Sequence, residues 1–392
     1  MKKTIRYICI FLCVALSAAT MTACTGYSDI ETSFLVSGIA VDFADSLSFG
    51  HREYLVTVEI IPMRASNQGS DSFSYLISQQ ADTFLEALRL ITAEATKPLF
   101  YGHCKLLVIG QEVASEGFLQ VVEYLFRDSK LRFPMNICVT RSATAKQVLR
   151  ARATMDTTNS YELIEMMQST ALNVGIAPSV QLLPFIDALA DEEGCCGIPF
   201  LCPAKDAEGD TISAVGGTAI IKDYKLLGYL NRENSAFAML ASGEYEQGVI
   251  NCFIPSEETI IPFKVLGTDT KISVDIDGDG IIVNFDSDIR ISVIELPINE
   301  MAVDRQRQDR FFTEASYFIS QNMFCVVKDT LDRYGADIFG ITGATRSDHP
   351  DFWKNNRHRW SEVLRTAKIR TEVSVGLRSS EVSGQKLSKG VE

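Results

Sequence analysis

The chain has 392 residues, 46% hydrophobic and 22% charged, the proportions of a globular protein long enough for two or three domains. Its formal net charge of −13 argues against nucleic acid as a partner and against electrostatic adhesion to anionic lipid, since both require a basic face. Without residues 1–23, which carry Lys2, Lys3 and Arg6 and no acid, the balance is 34 basic against 50 acidic residues, or −16.

Those first residues have the layout of a secretory signal: a basic head, an apolar stretch from Ile8 to Leu16, then small residues ending Met21-Thr22-Ala23-Cys24. A cysteine at that place fits a lipobox, in which the thiol is acylated and the residue becomes the new N-terminus. Cys24 is therefore the expected lipidation site, with acyl chains sufficient for stable anchoring. An ordinary cleaved signal followed by a coincidental cysteine is the alternative.

Residues 34–43 and 54–61 predict two strands, with Tyr54, Val56, Val58 and Ile60 on one face, separated by the turn residues Asp45, Ser46, Ser48 and Gly50. Residues 64–74 read as a loop. Thr83 and Glu86 form a capping-box pattern ahead of an apolar stripe of Phe84, Leu85, Leu88, Ile91 and Ala95. A strand is expected over 104–109, a helix over 115–126, a strand over 136–140 and a helix opened by Thr144 and Gln147. Residues 159–192 read as helical, broken near Gly175 and Pro178, and the Gly- and Pro-bearing stretch 193–211 reads as a linker. Strands over 212–221, 225–230 and 247–254, with a short helix through Leu240 flanked by Asn231 and Asn234, make a second, smaller sheet. A long hairpin is expected over 264–276 and 281–296, turning at Asp277-Gly278-Asp279-Gly280. A helix over 309–334, stopped by Gly335, and a strand over 366–377 complete the pattern. The expected fold is mixed α/β (α+β), divided as signal 1–23, N-terminal domain 24–155, middle domain 156–262, C-terminal domain 263–380 and polar tail 381–392.

Catalytic signatures are missing: there is no nucleophile elbow, phosphate-binding loop or dinucleotide fingerprint. His51, His103, His349 and His358 each stand alone. No catalytic residue, metal ligand or cofactor is assigned, and no ligand-binding residue is identified. Of the cysteines beyond the signal and Cys24, Cys104, Cys138, Cys252 and Cys325 lie in apolar segments and read as core. Cys195, Cys196 and Cys202 suit loop thiols, a vicinal disulfide or, with a fourth ligand, zinc. The acids Asp275, Asp277, Asp279 and Asp286 have calcium-loop spacing but lie in strand-like surroundings, so they read as a tight turn or a calcium site. Lys354 to Arg370 is locally basic, either a solvated face or a contact for an acidic partner, and Trp353 and Trp360 share a face if that segment is helical.

Four stretches, in order, resemble the C-subunit lipoproteins of spore germinant receptors, the Ger(x)C family. They are Phe34-Leu-Val-Ser-Gly-Ile-Ala-Val-Asp42; Tyr101-Gly-His-Cys-Lys-Leu-Leu-Val-Ile-Gly110; Gly217-Thr-Ala-Ile-Ile-Lys222 with Leu227-Gly-Tyr-Leu230; and Tyr334-Gly-Ala-Asp-Ile-Phe-Gly340. Thr25-Gly26-Tyr27 departs from the family's usual Trp-Asp-x-x-Glu, of which Asp29 and Glu31 remain. The resemblance implies three domains, each a β-sheet surrounded by α-helices. It also implies a non-enzymatic role in germination and a complex with integral-membrane A and B subunits. The implied location is the outer face of the inner spore membrane, reached by the lipid anchor. A solute-binding lipoprotein that delivers a small nutrient to a transporter is the first rival, and a metal-dependent hydrolase using the Asp275–Asp286 loop or the cysteine cluster is the second.

Overall fold

The computed structural model describes Tyr7 and residues 33–48, 50–62, 74–127, 134–151, 158–293 and 305–377. Cys24, the signal apart from Tyr7, and the tail lie outside the described residues. The mixed α/β class holds. The described strands form two sheets, with helices packed on both faces of the first.

The chain opens with an antiparallel hairpin of β1 (Phe34–Ser48) and β2 (His51–Pro62), whose register runs from Phe34↔Pro62 to Ser48↔His51. Strand β3 (Tyr75–Ala81) adds to β2 at the sheet edge. Its polar run Ser78-Gln79-Gln80 hides it from a hydrophobic-period reading. Thr83 caps α1 (Phe84–Glu94) by accepting from the Glu86 amide at 3.2 Å. The short β4 (Leu99–Phe100) and then β5 (Leu106–Ile109) run parallel to β1, and β6 (Asn136–Thr140) runs parallel to β5. Both β5 and β6 are buried throughout, as a parallel sheet covered on two faces requires. The helix expected over 115–126 is two helices, α2 (Gln111–Glu116) and α3 (Leu119–Arg127), because Gly117 takes φ +116° and ends the first. A complete capping box opens α4 (Ala145–Arg150).

Helix α5 (Asn159–Ser169) runs into a π-turn (Thr170–Val174) that stops at Gly175, and α6 (Leu182–Ala190) follows. The stretch read as a linker is largely strand β7 (Cys195–Lys205), antiparallel to β8 (Thr211–Lys222), which pairs in turn with β9 (Lys225–Asn231). Gly197, Pro199 and Pro203 suggested a loop, yet Cys196, Ile198, Phe200 and Cys202 alternate toward one core. Two residue pairs, Val139↔Phe200 and Thr140↔Leu201, join β7 to β6. The first sheet thus runs β3-β2-β1-β5-β6-β7-β8-β9 and continues past the expected boundary at 155/156. Among the described residues there is no separate middle sheet. Its first strands extend the N-terminal sheet, and β10 (Gly248–Ile254) joins the C-terminal one. Ile39, Leu107, Ile137 and Val139 face α1, α2, α3 and α6, while Ala40, Leu106, Val108 and Cys138 face α4 and α5, so the first unit has three layers.

The second sheet is β10-β11-β12-β13, with β11 (Thr259–Asp277) and β12 (Gly280–Val293) forming the expected hairpin and β13 (Lys368–Leu377) parallel to β12. Helices α7 (Arg232–Ser242), α8 (Arg305–Tyr334), α9 (Ile341–Asp348), α10 (Pro350–Asn356) and α11 (Trp360–Arg365) accompany it, and α7, α8 and α11 supply much of its core. Along α8, Ala315, Ile319, Met323, Val326 and Thr330 form one buried stripe, with Phe311 more deeply placed than Phe312. Trp353 and Trp360 are buried edge to face at 4.9 Å, on α10 and α11, and Trp360 Nε1 donates to Thr342 Oγ1 at 2.9 Å.

Three buried carboxylates seat helices on this framework. Glu59 of β2 accepts from Ser37 Oγ at 2.7 Å, Ser74 Oγ at 2.6 Å and the Asn159 and Ser160 amides at 3.0 and 2.9 Å, besides Ser160 Oγ. It thereby fixes the N-terminus of α5 against β1. A side chain on Gly38 would place its Cβ 2.1 Å from Ser160 Oγ, so glycine is what permits this approach. Asp42 accepts from the Ala145 and Lys146 amides of α4 at 2.7 and 2.8 Å, and Asp337 accepts from Phe339, Gly340 and Thr342 at the start of α9. Each places negative charge at the positive end of a helix and satisfies amides that the helix itself cannot. Glu59→Ala is expected to cost roughly 3–5 kcal/mol, because five donors lose their acceptor in a buried site. Urea denaturation checks this, with exposed Glu94→Ala expected to stay within about 0.5 kcal/mol of the parent.

Candidate functional site

Candidate chemistry is most economically tested at the buried ionisable groups. Burial raises the Asp42 carboxyl, while the two α4 amides oppose that shift. Asp42, Glu59 and Asp337 are all engaged by backbone amides and hold helices. Glu59 also meets the hydroxyls of Ser37, Ser74 and Ser160, as an acceptor within the helix seat, and among the described residues no histidine hydrogen-bonds to any of the three acids.

The cysteine cluster does not converge. Cys195 and Cys202 lie seven residues apart on one extended strand, about 23 Å at ~3.3 Å per residue. Cys195 packs toward the core of the second sheet, and Cys196 and Cys202 toward that of the first. Successive residues of a strand point to opposite faces, which holds Cys195 and Cys196 apart from one another and from distant Cys202 and argues against both the zinc and the vicinal-disulfide readings. Burial raises Cys195 well above the ordinary thiol range; burial, and secondarily the Glu244 carboxylate, push Cys196 up to about 12. Thiols held protonated in this way are poor nucleophiles. Cys325, expected in the core, is exposed on α8.

The acids of the 275–286 segment are also spread out. Asp277 pairs with Gly280 across the tight turn, where Gly278 takes φ +63°, whereas Asp286 lies opposite Lys271, far along the hairpin. Asp275 accepts from Asn284 Nδ2 at 2.9 Å and Asp277 pairs with Lys368. The segment is a hairpin turn. Asp206, Glu208 and Asp210 in the β7–β8 loop are the group of three potential metal-ligating side chains found among the described residues, and they surround an Asp206 turn that accepts the Glu208 and Asp210 amides. No histidine joins such a group among these residues. His349 Nε2 lies 2.7 Å from the Val274 carbonyl and ties α10 to β11.

The basic segment finds acids within the same chain. Arg357 pairs with Glu192 at 2.7 Å and Arg346 with Asp191 at 2.9 Å, and Lys222 bridges Glu193 and Ser361. These contacts join the loop before β7 to helices of the second sheet. Partly exposed pairs of this kind add little stability individually but orient the two units.

A cleft of about 760 Å³ lies where the first sheet meets the second unit. Its walls come from the π-turn after α5, α6, the first residues of β6 and β7, and the C-terminal end of α7. Gly175, at φ +71°, leaves room for the buried Tyr245 ring and so sets the π-turn beside α7. Glu244 stands in this cleft. It is exposed at the cleft mouth, where the neighbouring walls partly desolvate its carboxyl and raise it, and among the described residues no side-chain hydrogen bond or ion pair is made to it. Sequence reading missed the site, because its residues are scattered from Asn136 to Ile338 and only tertiary packing brings them together.

The fold and its joints define a two-sheet α/β scaffold without an assembled catalytic constellation among the described residues. Two family profiles match it: "Spore germination protein N-terminal domain" over residues 26–201 and "Spore germination B3/ GerAC like, C-terminal" over residues 216–381. The chain belongs to this GerAC-type spore germination family. Spore germination protein B3 of Bacillus subtilis (strain 168) is 22% identical over 371 residues, covering 90% of this chain and 93% of that protein. The crystal structure of the GerBC protein matches with a TM-score of 0.55 at 14% identity, covering 86% of this chain and 97% of that one, which shows a shared fold. The first profile ends within β7 and the second begins within β8, so the break between them falls inside a single hairpin of the first sheet.

In a thiol titration of the native protein at pH 8, Cys325 is expected to react promptly. Cys104, Cys138, Cys195, Cys196 and Cys252 are expected to react only after unfolding. Fast labelling of Cys195 or Cys196 would overturn the protonated-thiol reading.

Proposed function

We propose that this chain is a lipid-anchored, non-catalytic subunit of a spore nutrient germinant receptor, assembling with integral-membrane A and B subunits. The observation that carries this reading is the pair of family matches, which together span most of the chain from residue 26 to residue 381. The commitment of Asp42, Glu59 and Asp337 to helix amides supports a role in assembly over one in catalysis. No helix among the described residues is long and apolar enough to cross a membrane.

In this reading residues 1–23 are removed as a signal and Cys24 carries the lipid, holding the folded body on the outer face of the inner spore membrane. Tethering raises the effective concentration of the chain near its partners, so each docking contact can be modest. The acidic balance leaves the anchor, rather than charge, to supply membrane attachment.

Replacement of Cys24 by Ala tests the reading. The expected result is loss of the chain from the membrane fraction, weakened germination with nutrient, and an unchanged unfolding midpoint. A Cys24→Ala chain that stays membrane-bound and supports normal germination would refute it.

A further inference from the structure

We propose that the cleft between the two sheet units binds a small organic ammonium ion with an aliphatic body. Its volume, about 760 Å³, lies within the roughly 300–1,000 Å³ common for small-molecule sites. The ionisable carboxylates lining it are Glu244 and Glu246, and no lysine, arginine or histidine joins them. The C-terminal end of α7, with Met239, Ser242 and Gly243 in the wall, adds the negative pole of a helix. An ammonium group is favoured by each of these features; a carboxylate or phosphate is opposed by all of them.

Glu244 distinguishes this cleft from the helix-seating carboxylates. Asp42, Glu59 and Asp337 are buried and each met by several donors, whereas Glu244 is exposed at the cleft mouth and accepts no hydrogen bond from the described residues, so it is open to a cationic guest. Two further lining residues leave polar atoms without partners. Asn136 donates its amide to the Lys105 carbonyl at 3.4 Å, so its Oδ1 is left as an unpaired acceptor, and Thr218 Oγ1 is also unpaired. Both residues are more than nine-tenths buried. Unpaired polar groups in such a place are costly, and a hydrogen-bonding guest reduces that cost. Leu172, Val180, Pro184, Ala188, Met239 and Ile338 supply apolar wall for a short carbon chain. The guest is held and not transformed, since the neighbouring Cys196 thiol stays protonated. A zwitterion would carry its carboxylate into a cleft with no cation to receive it, so a simple amine fits better.

The test titrates the full chain, purified in detergent, with n-butylammonium chloride, followed by calorimetry and ligand-observed NMR. Butanol and butyrate serve as the neutral and anionic counterparts of the same length. Saturable binding of n-butylammonium is expected, tighter than that of butanol, with none for butyrate. Glu244→Gln is expected to weaken it roughly twofold to fivefold, the worth of a solvent-screened ion pair, with an unchanged melting temperature. Glu94→Gln, on the exposed face of α1, should bind like the parent. Absence of saturable binding up to 20 mM (on the order of the weakest affinity worth calling a site), equal binding of butanol, or an unaffected Glu244→Gln chain would overturn the proposal.

Discussion

Helix N-termini seated on buried carboxylates are the interaction on which the rest of this structure depends. A charge inside a protein is tolerated only when donors surround it, and here the donors are the amides that helices leave unpaired at their first turn. Glu59 holds α5 to β1 and β2, Asp42 holds α4 to the end of β1, and Asp337 holds α9 beneath the second sheet. Without these seats the helices would still have apolar faces, but nothing would fix where along the sheet each one begins. The geometry of the cleft rests on the same device, because α5 leads directly into the π-turn that forms one wall.

The stretches that carry the family resemblance acquire a physical meaning from these seats. Ser37, Gly38 and Asp42 in the first stretch are a donor to Glu59, the space for Ser160 and the seat of α4. Gly110, closing the second, leaves room for the Asp42 carboxylate, since a Cβ there would lie 2.2 Å from its Oδ1. Gly228 in the third makes room for the hydroxyl of Tyr334 in the fourth, and Asp337 follows three residues later. Their recurrence in one order reflects joints that contact one another across the chain. Such residues look catalytic by type and are structural by contact.

Much of the architecture was legible wherever local period and capping agreed. The β1–β2 hairpin, α4 with its capping box, the break at Gly175 and the hairpin turning at Asp277 to Gly280 all follow from short-range patterns. The failures share a cause. Residues 75–81 form an edge strand rich in amide side chains, and 195–205 form a strand with two prolines and a glycine, so composition concealed what pairing imposes. Because β7 was read as linker, one continuous sheet was divided into two blocks. The cysteine and aspartate groupings were adjacent in sequence but point to different cores or lie at different heights of a hairpin. Conversely, Asn136, Thr218 and Glu244, which meet at the cleft, carry no common sequence signal.

A body whose buried carboxylates Asp42, Glu59 and Asp337 are committed to its own joints is suited to holding partners in place. The most direct measurement is affinity purification of the tagged full chain from solubilised spore membranes, with the co-eluting proteins weighed by native mass spectrometry. The account predicts a defined complex containing integral-membrane subunits and a diacylated or triacylated Cys24. Elution of the chain alone, with an unmodified N-terminus, would contradict it.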